Sequence, residues 1–419
     1  MSRYARKREP PIRPVKSVEI DDKNRKWKLI AAAAFLVVGA CFIAWGVKSC
    51  TTMEPGWQQI QASAKVEETC AGDFVFFYLL GEDGKAVSTE QQEVTKVYTQ
   101  CTTDAFQIFH ETEVFGDVHN VAYLNQHVNE EVEVPRVLYE AFALLEKYEN
   151  RGLYLAPLYQ EYVNLFLCDG DWTAEAYDPD KNPEQDRYFS EILTYTSDEQ
   201  AVRLELLGNN RVRLSVSEAY LQYAQEKEIS VFIDFYWMKN AFIADYLAQQ
   251  LTAAGYTKGT LSSYDGFSRN LDTTDGDYKL NLFDRVGKDV YLAGAMQYKN
   301  VMAAVSLRNY STSELAVQLY YQWKDGTYTS CHISPVDGRS KSVMNDMTGY
   351  SYRLSCGEIL MQMYPLYVAD TWDEEGFKAL PANGVETAYC RDYVIYTSDP
   401  AVAVSNLYER DGVKYRWEP

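Results

Sequence analysis

The stretch SVFIDFYWMKNAFIADYLAQQL, residues 230–251, changes its hydrophobic period part-way along. Four strand-forming residues run into Asp234, three bulky residues follow, and apolar positions then recur at helical spacing until Gly255. Period two marks a strand and the i, i+3, i+4 rhythm a helix, so the pattern predicts a strand-to-helix junction with a carboxylate at its corner. A buried carboxylate is costly unless something holds it, which makes Asp234 a candidate functional residue. A structural role is equally open, since a carboxylate at a helix start accepts N–H bonds there. Asp245, eleven residues on, reads as an ordinary helix position.

The same reading extends along the chain. DFVFFYLLG (73–81) predicts a buried strand and EDGKAVS its turn. Residues 89–109 fit a helix better than a strand. After Pro135, residues Val137, Leu138, Ala141, Leu144, Leu145 and Tyr148 share one face of a helix over 136–148. Residues 169–190, acidic and with two prolines, read as a surface loop or insertion, and residues 201–217 as a hairpin turning at Gly208-Asn209-Asn210. KDVYLAGAM, VMAAVSL, ELAVQLYYQW and TYTSCHI read as short strands, GEILMQMYPLYVA (357–369) as a helix, and the remainder as strand-like. Mixed elements without repeats predict one α+β (or mixed α/β) domain over 67–419.

One segment falls outside that domain. Leu29–Val47 is 19 residues without a charge, long enough to cross a hydrocarbon core of about 30 Å. Residues 1–28 carry ten Lys/Arg against four Asp/Glu, a net of +6, so this end is expected in the cytoplasm. With −20 overall, residues 48–419 carry −26. VKSC after the span lacks a small-x-small cleavage pattern, which favours an uncleaved anchor over a signal peptide. The expected order is a basic cytoplasmic segment (1–28), a single transmembrane helix (29–47), a stalk (48–66) and a large extracytoplasmic domain at the cell membrane. An acidic exterior excludes nucleic acid as a partner.

The remaining chemistry is sparse. Eight Cys include no CxxC; Cys70 with Cys101, or Cys331 with Cys356, are possible disulfides, with buried free thiols equally open. His110, His119 and His127 are spaced for neither one helical face nor HExxH, and GxSxG, P-loop and GxGxxG are all absent. The 34 Tyr, 17 Phe and 8 Trp suit a tyrosine-rich sheet surface, and also a flat-ring or sugar ligand.

Five segments in order resemble the FAD:protein FMN transferases, extracytoplasmic membrane-tethered enzymes once called thiamine-biosynthesis lipoproteins. FQIFHETEVFGDVHNVAYLNQHV holds Leu124 and Asn125 at the family's LN pair, and Gly152 matches the glycine of its GxFDPT turn, with Leu155 at the aspartate. The 230–251 stretch resembles DxGxIAKGYxxD: Asp234 and Asp245 fall on its aspartates, Asn240 on its lysine, and Tyr236 and Trp237 replace small residues, with Lys239 one place off. TLSSYDGFSRN resembles NxGGD, keeping Gly266 and placing Asp265 at the first glycine. CHISPVDGRS resembles HIxDPxTG, keeping Pro335 and Gly338, with Ser334 and Asp337 at the aspartate and threonine and His332 shifted by one. SCGEILMQMY resembles ADAxxTA, with Gly357 and Met361 at its aspartate and threonine.

The resemblance implies the family's fold, and a flavin site at Asn125, Tyr236, Trp237, Asn240, Gly266, His332, Pro335 and Gly338. In the family Mg²⁺ on oxygen ligands activates the FAD pyrophosphate, and FMN moves to a Thr or Ser of a partner protein. Glycine and methionine offer Mg²⁺ no hard ligand. The leading expectation is therefore a membrane-anchored pseudoenzyme that keeps the fold and binds flavin, another ligand or an extracytoplasmic protein partner. Two alternatives stay open: an active, divergent Mg-dependent transferase using Asp234, Asp265 and Asp337, and a cell-envelope glycan- or peptide-binding module.

Overall fold

Strict alternation builds the strand Phe74–Leu80: Phe74, Phe76, Tyr78 and Leu80 are buried, while Val75 and Phe77 face outward. The computed structural model describes residues 54–418 apart from 83 and 275, and this strand lies near one edge of its nine-stranded sheet. In spatial order the strands are Gly56–Ile60, Phe74–Leu80, Gly259–Ser263, Phe267–Asn270, Met302–Arg308, Asp346–Ser351, Glu386–Arg391, Val394–Thr397 and Arg416–Glu418. All neighbours are antiparallel except the last pair.

One face carries helices. Lys239–Ala253 lies against the helices Val87–Phe109 and Cys356–Tyr367 and over the strands Gly259–Ser263 and Phe267–Asn270. Across part of the other face runs a second sheet of Ala403–Ser405, Asp289–Lys299 and Asp277–Val286, whose Leu282, Ala293 and Met296 pack on Met302, Ala304, Tyr350 and Ile395. Strands covered on both sides read as continuous apolar runs, which accounts for VMAAVSL. In a third, small sheet Val202–Gly208 and Arg211–Val216 form the predicted hairpin. Asn209 and Asn210, at φ of 52° and 59°, supply the left-handed pair that such a two-residue turn requires.

Several expectations are corrected. Ser230–Asp234 joins no sheet and bends at Phe232; the Asn125 side chain and the Leu153 carbonyl take its backbone groups instead. Residues 56–60, assigned to the stalk, are the edge strand beside Phe74–Leu80. Within 169–190 a helix starts at Pro183 and runs to Thr196, capped by Asn182, whose side chain accepts the Glu184 N–H. ELAVQLYYQW splits into a 3₁₀ turn, Glu314–Leu319, and a short strand, Tyr320–Gln322. The candidate disulfide partners are free thiols, and the Cys70 thiol donates to the Thr102 carbonyl. Among the described residues no helix is long and apolar enough to cross a membrane; the basic segment and the span at 29–47 lie outside them.

Candidate functional site

Asn125 closes the short helix Val121–Gln126 and is 7 % exposed. Its side-chain oxygen accepts the N–H groups of Phe232 and Ile233 (2.9 and 3.1 Å), and its amide donates to the Ile233 carbonyl (3.0 Å). The Asp234 N–H then donates to the Leu153 carbonyl at 2.9 Å, one residue beyond Gly152. Three segments distant in sequence thus fix where Asp234 stands. Its carboxylate accepts the Tyr236 N–H at 2.8 Å, the local role anticipated for a carboxylate at a helix entry.

Tyr236 has φ of 46°, a left-handed conformation that a bulky residue rarely adopts and that glycine takes freely. Its ring stacks on Tyr159 with centroids 4.8 Å apart. Trp237 turns inward against His332 and Tyr364 (4.9 and 5.0 Å). Asn240, on the first turn of the helix Lys239–Ala253, donates to Asp265 at 2.9 Å. Gly266 beside it has φ of 112°, and a Cβ there would lie 2.2 Å from the Ser306 carbonyl oxygen, so only glycine fits.

Asp234, Tyr236, Trp237, Asn240 and Asp265 line a cleft of about 540 Å³ that also takes in Asp73, Glu111, Tyr159, Lys239 and Tyr264. Its electrostatics are those of crowded carboxylates around the Lys239 ammonium. Burial, and then the Glu111 charge, push Asp234 up to about 6 against the pull of Lys239. Burial drives Asp265 up to about 7, with the Asn240 amide opposing. Burial alone would lower Lys239, but Glu111 (3.3 Å away), Asp234 and Asp73 hold it above its ordinary value. Burial would likewise raise Glu111, yet Lys239 and backbone bonding keep it below the usual carboxylate range.

Of the residues singled out from the sequence, Asp234, Tyr236, Trp237, Asn240 and Asp265 meet in this cleft, with Asn125 and Gly266 shaping it from behind. The others do not line it. His332 is buried behind Trp237, and burial followed by the Arg308 charge pushes it down to about 3, so it stays neutral. Pro335, Asp337 and Gly338 belong to a tight loop in which Ser334 and Arg339 pair through their backbones. There Asp337 lies 2.5 Å from Lys341, and the Gly338 carbonyl accepts from Tyr162. Asp337 is therefore no companion to Asp234 and Asp265. Glu111 and Asp73 were missed, because only tertiary folding brings a helix end and a strand start to Asp234.

Asp245 also departs from its expected role. It is paired with Arg269 at 2.6 Å, and its two oxygens accept the N–H groups of Cys356 and Gly357, which open the helix Cys356–Tyr367. Gly357 thus presents a backbone donor to a carboxylate. Met361, 1 % exposed, receives the Asn150 amide on its sulfur.

No protein-family model and no curated protein matches the chain. Among solved structures it is similar to the ApbE protein of Thermotoga maritima, at a TM-score of 0.54 and 15% identity over 84% of this chain and 97% of that one. It is also similar to a point mutant of the flavin transferase ApbE from Vibrio cholerae, at 0.50 and 14% over 84% and 98%. The fold is that of the ApbE flavin transferases.

The residues of this cleft do not fit a Mg²⁺-held diphosphate. Among the described residues no three His, Cys, Asp or Glu side chains gather into a metal group. Gly357 and Met361 line no part of the cleft, and octahedral Mg²⁺ demands several hard oxygens gathered in one place. Six carboxylates line the cleft against two lysines, which opposes a polyanion. The Tyr236 side chain takes up room where a small residue would leave space.

Proposed function

We propose that this protein is a non-catalytic relative of the flavin transferases, a binding protein that uses the ApbE-like cleft without transferring FMN. The observation behind this reading is the donor set: half-buried carboxylates raised toward neutrality, two lysines against six carboxylates, and, among the described residues, no group of three metal-ligating side chains. Phosphoryl transfer depends on metal and positioned cationic charge to stabilise its transition state, and the cleft offers the opposite charge. Residues 29–47 would anchor the protein in the cell membrane, with the N-terminus cytoplasmic and the domain presented outside to a ligand or an extracytoplasmic protein. The test incubates the purified chain with FAD, Mg²⁺ and an acceptor protein carrying a flavinylation motif. The expected result is an acceptor without covalent flavin; fluorescent FMN on it would overturn the reading.

One observation favours the competing reading, a working transferase with a rebuilt metal site. The Asp265 and Asn240 side chains each leave an oxygen without a hydrogen-bond partner. Two oxygens fall short of an octahedral set, and FAD affinity that rises with Mg²⁺ would be needed to support it.

A further inference from the structure

The floor of the cleft holds two side-chain oxygens with nothing donating to them. Asn240 is 7 % exposed; its amide is spent on Asp265, and its Oδ1 has no partner. Asp265 receives that amide on Oδ2 and leaves Oδ1 unbonded, while the Ser263 hydroxyl donates to the Phe267 carbonyl. A buried acceptor without a donor is costly and rare in native structures. Among the described residues no cation is paired with Asp265. Lys239 lies against Glu111, and Lys227, the other lysine of the cleft, lies 3.5 Å from Glu191.

We propose that the cleft binds a primary ammonium, carried on a small oxygen-bearing molecule or side chain and seated against Asp265 and Asn240. The proposal rests on reading the cleft as a binding site and names the chemistry it takes. An ammonium brings three donors and no acceptor, so one group serves both oxygens and neutralises the carboxylate. A water molecule leaves the charge uncompensated. Trp237 is 3 % exposed with an unpartnered indole N–H, and the Tyr236 hydroxyl is also without a partner; both residues line the cleft. They suit a hydroxyl or carbonyl oxygen beside the ammonium. A volume of about 540 Å³ accepts a small ligand or one extended side chain.

The ammonium could arrive on an amino polyol or on a lysine side chain, and titration calorimetry on the full chain separates the two. The probes are glucamine and Nα-acetyl-lysine amide, each beside the counterpart acetylated on its amine. At least one charged probe should bind, and its acetylated counterpart should bind about tenfold more weakly or not at all, as loss of a charge-assisted bond requires. Asp265→Asn and Asn240→Ala should each weaken binding about tenfold, with folding checked by circular dichroism, while Asp337→Asn should change nothing. Binding should also tighten from pH 6 to pH 8, as Asp265 ionises while both probes stay protonated. The proposal fails if neither charged probe binds at about 10 mM. It fails equally if acetylation makes no difference, or if both cleft variants, once folded, bind as the parent does. An FMN-transfer assay on the same preparation keeps the two ideas apart: covalent flavin overturns the non-catalytic reading, and absent ammonium binding overturns this one.

Discussion

Asn125 grips Ile233 from both sides, accepting its N–H at 3.1 Å and donating to its carbonyl at 3.0 Å across 108 residues of sequence. With the Phe232 N–H also accepted, one amide supplies the backbone partners that a neighbouring strand would give. Asn125→Ala should therefore orphan three buried backbone groups and cost about 2–4 kcal/mol. Asn125→Asp keeps the two acceptances but sets a carboxylate against the Ile233 carbonyl, and should also destabilise. Urea unfolding at unchanged slope measures both; an Asn125→Ala variant within about 0.5 kcal/mol of the parent would contradict this role.

A second buried polar centre joins two helices and a strand. Asp245 pairs with Arg269 and accepts the two N–H groups that open the helix Cys356–Tyr367. Removing one partner of such a pair leaves the other uncompensated, so Asp245→Ala should cost about 3–5 kcal/mol. Asp245→Asn should cost less, since its amide oxygen still accepts one N–H. Denaturant midpoints check the ranking, and equal losses in the two variants would oppose it.

Tyr236 sets backbone strain against ring stacking. At φ of 46° any residue with a Cβ is strained, while stacking on Tyr159 offsets part of that cost. Tyr236→Ala keeps the strain and loses the stack, whereas Tyr236→Gly loses both. Glycine should thus be more stable than alanine here by about 1 kcal/mol, the reverse of their usual order. Thermal melts of the two variants decide it, and alanine melting higher would show that the left-handed backbone is not maintained.

Local patterns were legible wherever local forces decide. The Asn209-Asn210 hairpin, the helix after Pro135 and the alternating strand 74–80 all follow from period and turn chemistry. The resemblance across five segments pointed to the ApbE-like fold, and of the site residues it implied, Asp234, Tyr236, Trp237, Asn240 and Asp265 line one cleft, whereas His332, Pro335, Asp337 and Gly338 do not. It failed where a side chain's partner is remote. Ser230–Asp234 has the composition of a strand, yet Asn125 replaces the strand it would pair with. Asp245 read as an ordinary helix position because Arg269 and the Cys356 N–H come from elsewhere in the chain. Pro183 after Asn182 was a readable helix start, obscured by the acidic composition around it.

The cleft carboxylates should also write themselves into the pH dependence of stability. Asp265 is raised from an ordinary 3.8 to about 7, first by burial, so the folded chain holds this proton where the unfolded chain has released it. Between about pH 4 and pH 7 the native state binds more protons at this site, and its contribution to stability falls as pH rises. Asp234, raised to about 6 by burial and Glu111, acts in the same direction. His332 acts oppositely: held near 3 by burial and Arg308, it stays neutral while the unfolded imidazole protonates below about 6.5, so its contribution is lost as pH falls. These opposed trends make the whole-protein curve a poor test and a difference measurement a good one. Asp265→Asn removes one titration and leaves the others in place. Relative to the parent, it should gain stability between pH 5 and pH 8, on the order of 2 kcal/mol after allowance for partial exposure. Urea unfolding at the two pH values reads the difference. A variant that tracks the parent across that rise would mean that Asp265 is already ionised at pH 5 in the folded chain, and would contradict the upward shift.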